Sequence, residues 1–308
     1  MVYDDNEQQQ HCKNDGSCSS SYVVGHHAMN SILYANKKAD EYRRHLGLTQ
    51  DTRATVDNVL DPRTINILNK MRNRGVFTDV SGTISTGKEA NVYYATTTTT
   101  DDTYSDELTN GGGLALKVYK TSILVFKDRS KYVEGEYRFR KGYCKSNPRK
   151  MVTMWAEKEM RNLKRLNMYN IPSPNVIECR NNVLVMEYLG SDATHSYPRL
   201  KDISNSMVMD IYIQVITIMR VMFNKCHLVH GDLSEFNLLL SPQGVVYVID
   251  VSQSVEHDHY QALDFLKRDI VNITRFFRKT MINEHHHDHH DDQHQHQLHL
   301  LHVNTLFD

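Results

Sequence analysis

The residues best suited to chemistry in this sequence lie in Leu228–Leu240, LVHGDLSEFNLLL, where His230, Asp232 and Asn237 stand in an H-x-D-x-x-x-x-N arrangement. At that spacing Asp232 can accept or orient the proton of an attacking hydroxyl. Asn237, five residues on, can turn back to hold a metal ion that bridges nucleotide phosphates. His230 reads as a brace for the loop. A polar turn between two elements would also produce this octad, so the reading depends on what accompanies it. Thirteen residues after Asn237, VYVIDVSQSVEHD puts Asp250 at the end of an apolar strand, the expected place for a second Mg²⁺ ligand.

Upstream, SGTISTGKEANVYYA carries Gly82 and Gly87-Lys88 at the spacing of a Walker A motif. Two details oppose a P-loop. Glu89 stands where a Ser or Thr should ligate Mg²⁺, and the chain continues into a strand where a P-loop needs a helix N-terminus. A strand-turn-strand flap fits better, with small residues Ser85, Gly87 and Ala90 letting backbone N–H groups approach phosphates. Thr86, Lys88, Glu89 and Val92 complete the flap's nucleotide face. Lys117 in ALKVYK is placed to contact the α- and β-phosphates, and its expected partner is Glu159 on the following helix, with Glu157 as runner-up. VLVMEYLG reads as a strand and hinge where an adenine would lie against Met186, Glu187 and Leu189. The cofactors implied are ATP and Mg²⁺, with Mn²⁺ as an alternative metal.

Positioning these groups takes an ordered set of elements. Asp61-Pro62 opens a helix through Ile65, Leu68 and Met71 that Gly75 ends. Strands are predicted over Val76–Ile84, Asn91–Thr96, Leu114–Tyr119, Asn175–Cys179 and Val183–Tyr188, with a long helix over Met151–Met168. A Thr-, Asp- and Gly-rich tract, Thr96–Gly113, reads as an inserted surface loop. Apolar residues Met209, Ile213, Ile216, Met219 and Phe223 predict a buried helix within Asn205–Cys226. Two short strands, Leu238–Leu240 and Val245–Ile249, flank a Pro242–Gly244 turn, and a last helix spans Tyr260–Lys279. Strands and one helix first, helices mainly afterwards, predict an α+β chain of two lobes: an antiparallel sheet plus helix, then a reduced, mainly helical lobe, with an extra N-terminal helix.

Composition sets the frame. The chain has 308 residues, 40% of them hydrophobic, and a formal net charge of −1, so a core is affordable and no global field selects nucleic acid or membrane. Five scattered cysteines, Cys12, Cys18, Cys144, Cys179 and Cys226, fit reduced thiols. No secretory signal and no apolar run of about 18 residues is evident, which predicts a soluble intracellular protein. Residues 1–50 read as a polar extension, in spite of a helical pattern over Met29–Arg44. Residues 284–308 form a low-complexity tail with nine histidines between Glu284 and His302, suited to adventitious metal binding. Between them, residues 51–283 make one catalytic domain, its lobes meeting near residue 188. From Lys120 to Lys150, ten Lys or Arg against three Asp or Glu, interleaved with Tyr132, Tyr137, Phe139 and Tyr143, suit RNA phosphates and base stacking.

Four stretches carry a family resemblance over about Arg53 to Lys279: RATVDNVLDPRT; STGKEANVY; the run from KVYKTSILVFKDRSKYVEGEYRFRKGYCKSNPRKM into WAEKEMRNLKRLN; and HGDLSEFN with IDVSQSVEHDH. Together they resemble the type-1 RIO kinases, atypical serine/threonine kinases with a two-lobed protein-kinase-like fold. The departures from ordinary kinases agree. Gly231 replaces the Arg that reads a phosphorylated activation loop, Ser234 replaces the Lys near the transferred phosphate, and Val251-Ser252 replaces Phe-Gly after Asp250. Little chain follows Asp250 to build a peptide platform. The resemblance implies an ATPase-like or autophosphorylation cycle, with Asp250 as a phospho-aspartate. It implies a small ribosomal subunit precursor, rRNA and proteins, as partner, and a cytoplasmic location with nuclear shuttling. Two other readings stay open: a small-molecule kinase of the aminoglycoside or choline type, and a nucleotide-gated pseudokinase scaffold.

Overall fold

The computed structural model describes residues 60–97, 113–121, 130–134, 136, 138, 147–192, 195–202 and 208–287. The polar extension, the Met29–Arg44 pattern, residues 98–112 of the Thr-rich tract, Tyr137, Phe139, Tyr143 and the His-rich tail from residue 288 lie outside them.

Helix α1 (Pro62–Asn73) starts where extended Asp61 accepts a hydrogen bond from Thr64 N at 2.8 Å and Pro62 supplies a preset φ. It stops at Gly75, whose φ of +77° lets Val76 N return to Met71 O. Its face of Leu68 and Met71 packs on one side of a five-stranded antiparallel sheet. The sheet's order is β1-β2-β3-β5-β4, from β1 (Asp79–Thr86), β2 (Ala90–Thr96), β3 (Leu114–Tyr119), β4 (Val176–Arg180) and β5 (Val183–Glu187). Strand β1 begins later than its branched residues predict because Phe77 is used as a plug in the α1–sheet core.

Alternation along β3 decides the site. Leu114, Leu116 and Val118 face α1, which turns Ala115, Lys117 and Tyr119 to the opposite side. Across that side runs α2 (Pro148–Met168), which starts three residues before the predicted Met151 because Asn147 caps it and Pro148 occupies its first turn. Its buried residues are Val152, Trp155, Ala156, Lys158, Glu159, Asn162, Leu163 and Leu166, an apolar stripe at helical spacing with a lysine and a carboxylate set into it.

The second lobe contains a small β6–β7 pair (Gly190–Asp192, His195–Ser196) and α3 (Val208–Asn224). Three short strands follow, β8 (Leu228–Val229), β9 (Leu238–Leu240) and β10 (Val246–Val248), then β11 (Val255–Glu256) and α4 (Ala262–His287). The predicted stripe of α3 is corrected. Ile213 is 56% exposed, and the buried face is Ile211, Tyr212, Val215, Ile218, Met219 and Met222. The polar residues Asp210, Thr217, Arg220 and Asn224 are exposed with Ile213 among them, so the buried face lies opposite that row. Among the described residues, no helix is long and apolar enough to cross a membrane.

Candidate active site

The lobes enclose a cavity of about 850 Å³, within the range of small-ligand sites. Ser85, Thr86, Gly87, Lys88, Glu89, Ala90 and Val92 of the flap line it, as do Lys117, Glu159, Met186, Glu187, Leu189, Asp232, Asn237 and Asp250. Residues distant in the sequence therefore share one space.

The flap is the β1–β2 hairpin. Gly87 N donates to Ala90 O at 2.9 Å, and a Cβ on Gly87 would come within 3.0 Å of that carbonyl, so the tight crossing favours glycine. Because β2 continues directly from the turn, the Walker A reading is excluded.

On the upper wall Lys117 Nζ donates to Glu159 Oε1 at 2.7 Å and to Asp250 Oδ1 at 2.9 Å. Glu159 is the partner and Glu157 is not, since the latter pairs with Arg161 on the same helix at 2.8 Å. Tyr119 OH also donates to Glu159. Burial alone would lower the Lys117 pKa, but Asp250 and Glu159 together raise it. Burial pushes Glu159 up against the pull of Lys117. We take the pair as ionised at neutral pH because Glu159 also accepts the Tyr119 hydroxyl and Lys117 has a second anion in Asp250.

On the lower wall the β9–β10 hairpin pairs Leu238 with Val248, and Ile249 N donates to Asn237 O at 3.1 Å. That register sets Asn237 beside Asp250. Asn237 Nδ2 donates to Asp232 O at 2.9 Å, which commits the amide nitrogen to the loop and leaves Oδ1 for a cation. Asp250 has φ +58°, a left-handed conformation that a short polar side chain tolerates, and its carboxylate also receives Ser252 Oγ at 3.2 Å. An Asn oxygen and a carboxylate on one wall match Mg²⁺, which takes one or two protein oxygens plus phosphates and water. Burial would raise Asp250, yet Lys117 holds it below the usual carboxylate value. Asp232 moves the other way, raised by burial and by Asp250 and opposed by Arg268 and Lys131. His230 is buried, which lowers its pKa; Nε2 donates to Ile249 O at 3.2 Å and Nδ1 accepts from Asp232 N at 3.3 Å, so the ring braces the loop.

At the hinge the Glu187 carboxylate accepts from Asn175 N and Nδ2 at 3.1 and 2.9 Å, so its backbone, and not its acid, is what an adenine could meet.

The family model for the RIO domain matches residues 91–290. The chain belongs to the RIO domain family. It is 55% identical over 245 residues to the human serine/threonine-protein kinase RIO1, covering 79% of this chain and 40% of that protein. It is 51% identical over 256 residues to the Dictyostelium discoideum rio1 kinase, 82% of this chain and 42% of the relative. The chain thus spans about two fifths of the length of these curated relatives. A solved structure of the Chaetomium thermophilum Rio2 kinase in an ADP/Mg²⁺-phosphoaspartate complex superimposes with a TM-score of 0.53 at 22% identity, over 70% of this chain and 60% of that one. That likeness supports the kinase-like α+β fold.

This RIO domain contains supports that the sequence did not disclose. Asp269 of α4, 1% exposed, accepts Gly231 N at 2.8 Å and Leu233 N at 2.9 Å, clamping the backbone on both sides of Asp232. Arg268 donates to Gly231 O at 2.6 Å. The available signal was an acid within the buried stripe Phe265, Ile270, Ile273 and Phe277. Arg199, also unforeseen, lines the cavity and reaches Ser85 Oγ at 3.4 Å, joining lower lobe to flap. The basic run is corrected in part: Tyr132 and Lys120 are buried, and Tyr132 stacks on Phe265 at 5.2 Å, so neither is a surface for bases or phosphates.

Proposed function

We propose that this chain is an ATP-dependent phosphotransferase that turns over Mg-ATP by phosphoryl transfer, with Asp232 as proton acceptor and Asp250 as metal ligand and phospho-acceptor. The observation that carries this reading is the chain of contacts Glu159–Lys117–Asp250, which spans the cavity facing Asp232 and Asn237. The two aspartates have environments that separate them. Asp250 is held ionised, as a ligand or nucleophile must be, while Asp232 is moved toward the range where a base works.

When bound, Mg²⁺ would neutralise charge on the β- and γ-phosphates, held by Asn237 and Asp250. Lys117 orients the α- and β-phosphates and the flap backbone covers them. An oxygen of Asp250 forms a bond to the γ-phosphorus as the bond to the β–γ bridging oxygen breaks, and ADP leaves with that electron pair. Water, giving its proton to Asp232, then attacks the acyl phosphate and restores the carboxylate with release of phosphate. The phosphoaspartate named for the Rio2 kinase structure supports this route. Alternatively, a hydroxyl of a serine or threonine acceptor delivers its proton to Asp232, the activity named for the RIO1 relatives. The family match weighs against an aminoglycoside- or choline-type kinase. Action on a cytoplasmic small ribosomal subunit precursor rests on the resemblance to type-1 RIO kinases.

The test is incubation of purified protein with γ-labelled ATP, with and without pre-ribosomal particles, measuring free phosphate and acid-stable and acid-labile phosphoprotein. Acid-labile label lost in Asp250→Asn supports the phospho-aspartate. Absence of free phosphate and of any labelled protein under all conditions refutes phosphotransfer and favours a nucleotide-gated scaffold.

A further inference from the structure

Between β3 and α2, residues 130–134 and 136 are tied at several points to the helix that holds Glu159 and to the second lobe. Lys158, next to Glu159 on α2, is 3% exposed; its ammonium meets Glu136 Oε1 at 2.6 Å, donates to Tyr132 O and lies over the Trp155 ring. Tyr132, ending a short 3-10 turn (Ser130–Tyr132), stacks on Phe265 of α4. Its Cε1 is 3.6 Å from where a Cβ on Gly231 would stand, beside Asp232. Glu134 O accepts from His259 Nε2 at 2.7 Å.

We propose that Tyr132, Glu136 and Lys158 are positioning residues for phosphoryl transfer, forming a brace that fixes the rotation of α2 so that Glu159 stays on Lys117, and that ties this setting to the catalytic loop. This rests on the phosphotransferase reading. A turn of α2 that withdrew Glu159 would also drag a buried ammonium from its carboxylate, a cost that the interior does not offset. Tyr132 of the same segment, together with the Gln253 carbonyl at 3.1 Å, borders the position of a Cβ on Gly231, where a side chain able to read a phosphorylated activation segment is missing. In conventional kinases, placing the lysine–glutamate pair is what activation-loop phosphorylation controls; here packing of the chain's own segment does it without modification. No bond is made or broken by the brace; its effect is on the geometry of Lys117.

The experiment is a double-mutant cycle on turnover of Mg-ATP. Glu136→Gln is expected to lower kcat by about 10²-fold, the scale of an ångström-level misplacement, and to speed amide exchange along α2 around Glu159. In a Glu159→Gln background the same substitution is expected to lower residual kcat no further, because both changes break one linkage. Losses that multiply, or unchanged α2 exchange, overturn the proposal by making the segment a general stabiliser. Glu136→Asp, which keeps the charge but retracts it by one methylene, enters the same cycle should the amide variant fail to fold. A parent protein without turnover sinks the phosphotransferase reading, and the exchange measurement then still decides the brace.

Discussion

Replacing Lys117 by methionine keeps the length and apolar stem of the side chain and removes its charge. Glu159, with a side chain 1% exposed, then keeps the Tyr119 hydroxyl but loses the ammonium at 2.7 Å. Removing one partner of a buried pair costs about 3–5 kcal/mol, because the other charge is left uncompensated. For a domain of this size each kcal/mol moves Tm by about 2–4 °C, so Lys117→Met should melt roughly 10 °C below the parent. Burial already holds the Glu159 pKa above its ordinary value, and Lys117 is what pulls it back, so in the variant it rises further. A carboxyl whose folded pKa is raised contributes stability that is full below its unfolded value and lost as pH rises through the folded one. The variant's deficit should therefore be larger at pH 8 than at pH 5. Adding Glu159→Gln removes the stranded charge and should restore most of the lost Tm while leaving phosphoryl transfer absent. Urea and thermal unfolding of the three proteins at both pH values measure all of this. A deficit below about 1 kcal/mol, or a double variant as unstable as the single one, would refute the argument that Lys117 compensates a buried carboxylate.

Asp232→Ala should lower the phosphoryl-transfer rate by about 10²- to 10⁴-fold with nucleotide affinity retained, since a positioned base acts on the rate; calorimetry beside turnover separates the two. Asp250→Ala should weaken Mg²⁺-dependent ADP binding, read by titrating ADP with and without the metal, and should abolish acid-labile phosphoprotein. Lys131→Met removes a cation that holds the Asp232 pKa down, so the acid limb of the turnover–pH profile should move to higher pH; an unmoved limb contradicts Asp232 as the titrating base. Asp269→Asn leaves an amide N–H₂ facing one of the Gly231 and Leu233 N–H groups, and is expected to lower kcat about 10²-fold by displacing Asp232, with ADP affinity unchanged.

Local signals made the frame legible. Asp61-Pro62 marked the start of α1 and Gly75 its end, and Leu114–Tyr119 with Lys117 in it and Leu238–Leu240 were both placed to the residue. What stayed hidden has a common physical origin. In α3 the polar row Asp210, Gln214, Thr217, Arg220 and Asn224 set the phase, but Ile213, apolar and 56% exposed, stands on that outer face and drew the predicted stripe toward it. The β8–β11 pair consists of two residues on each side, Leu228 with Glu256 and Val229 with Val255, too short for any pattern. Asp269 and Glu136 are acids whose partners lie 36 and 22 residues away in the chain, and a carboxylate in sequence does not reveal whether it meets water, a backbone N–H or a lysine.

That origin also explains how the site was readable in its members and unreadable in its couplings. Asp232, Asn237 and Asp250 are set by two adjacent turns, where spacing is geometry. Lys117 is held beside them with the help of Glu159 on a helix 42 residues further on, whose own rotation is fixed by Lys158 meeting Glu136. Lys117 also holds Asp250 at 2.9 Å, on the oxygen that Ser252 shares. A cation taken up between Asn237 and Asp250 must compete with that ammonium for the carboxylate. The same contact that keeps Asp250 ionised therefore sets a cost on metal entry. Weakening Lys117 by Lys117→Met should lower triphosphate orientation while making Asp250 more available to Mg²⁺. Its ADP binding should then retain a larger relative dependence on Mg²⁺ than the parent's, and a smaller dependence would mean that lysine and metal act on Asp250 together and do not compete.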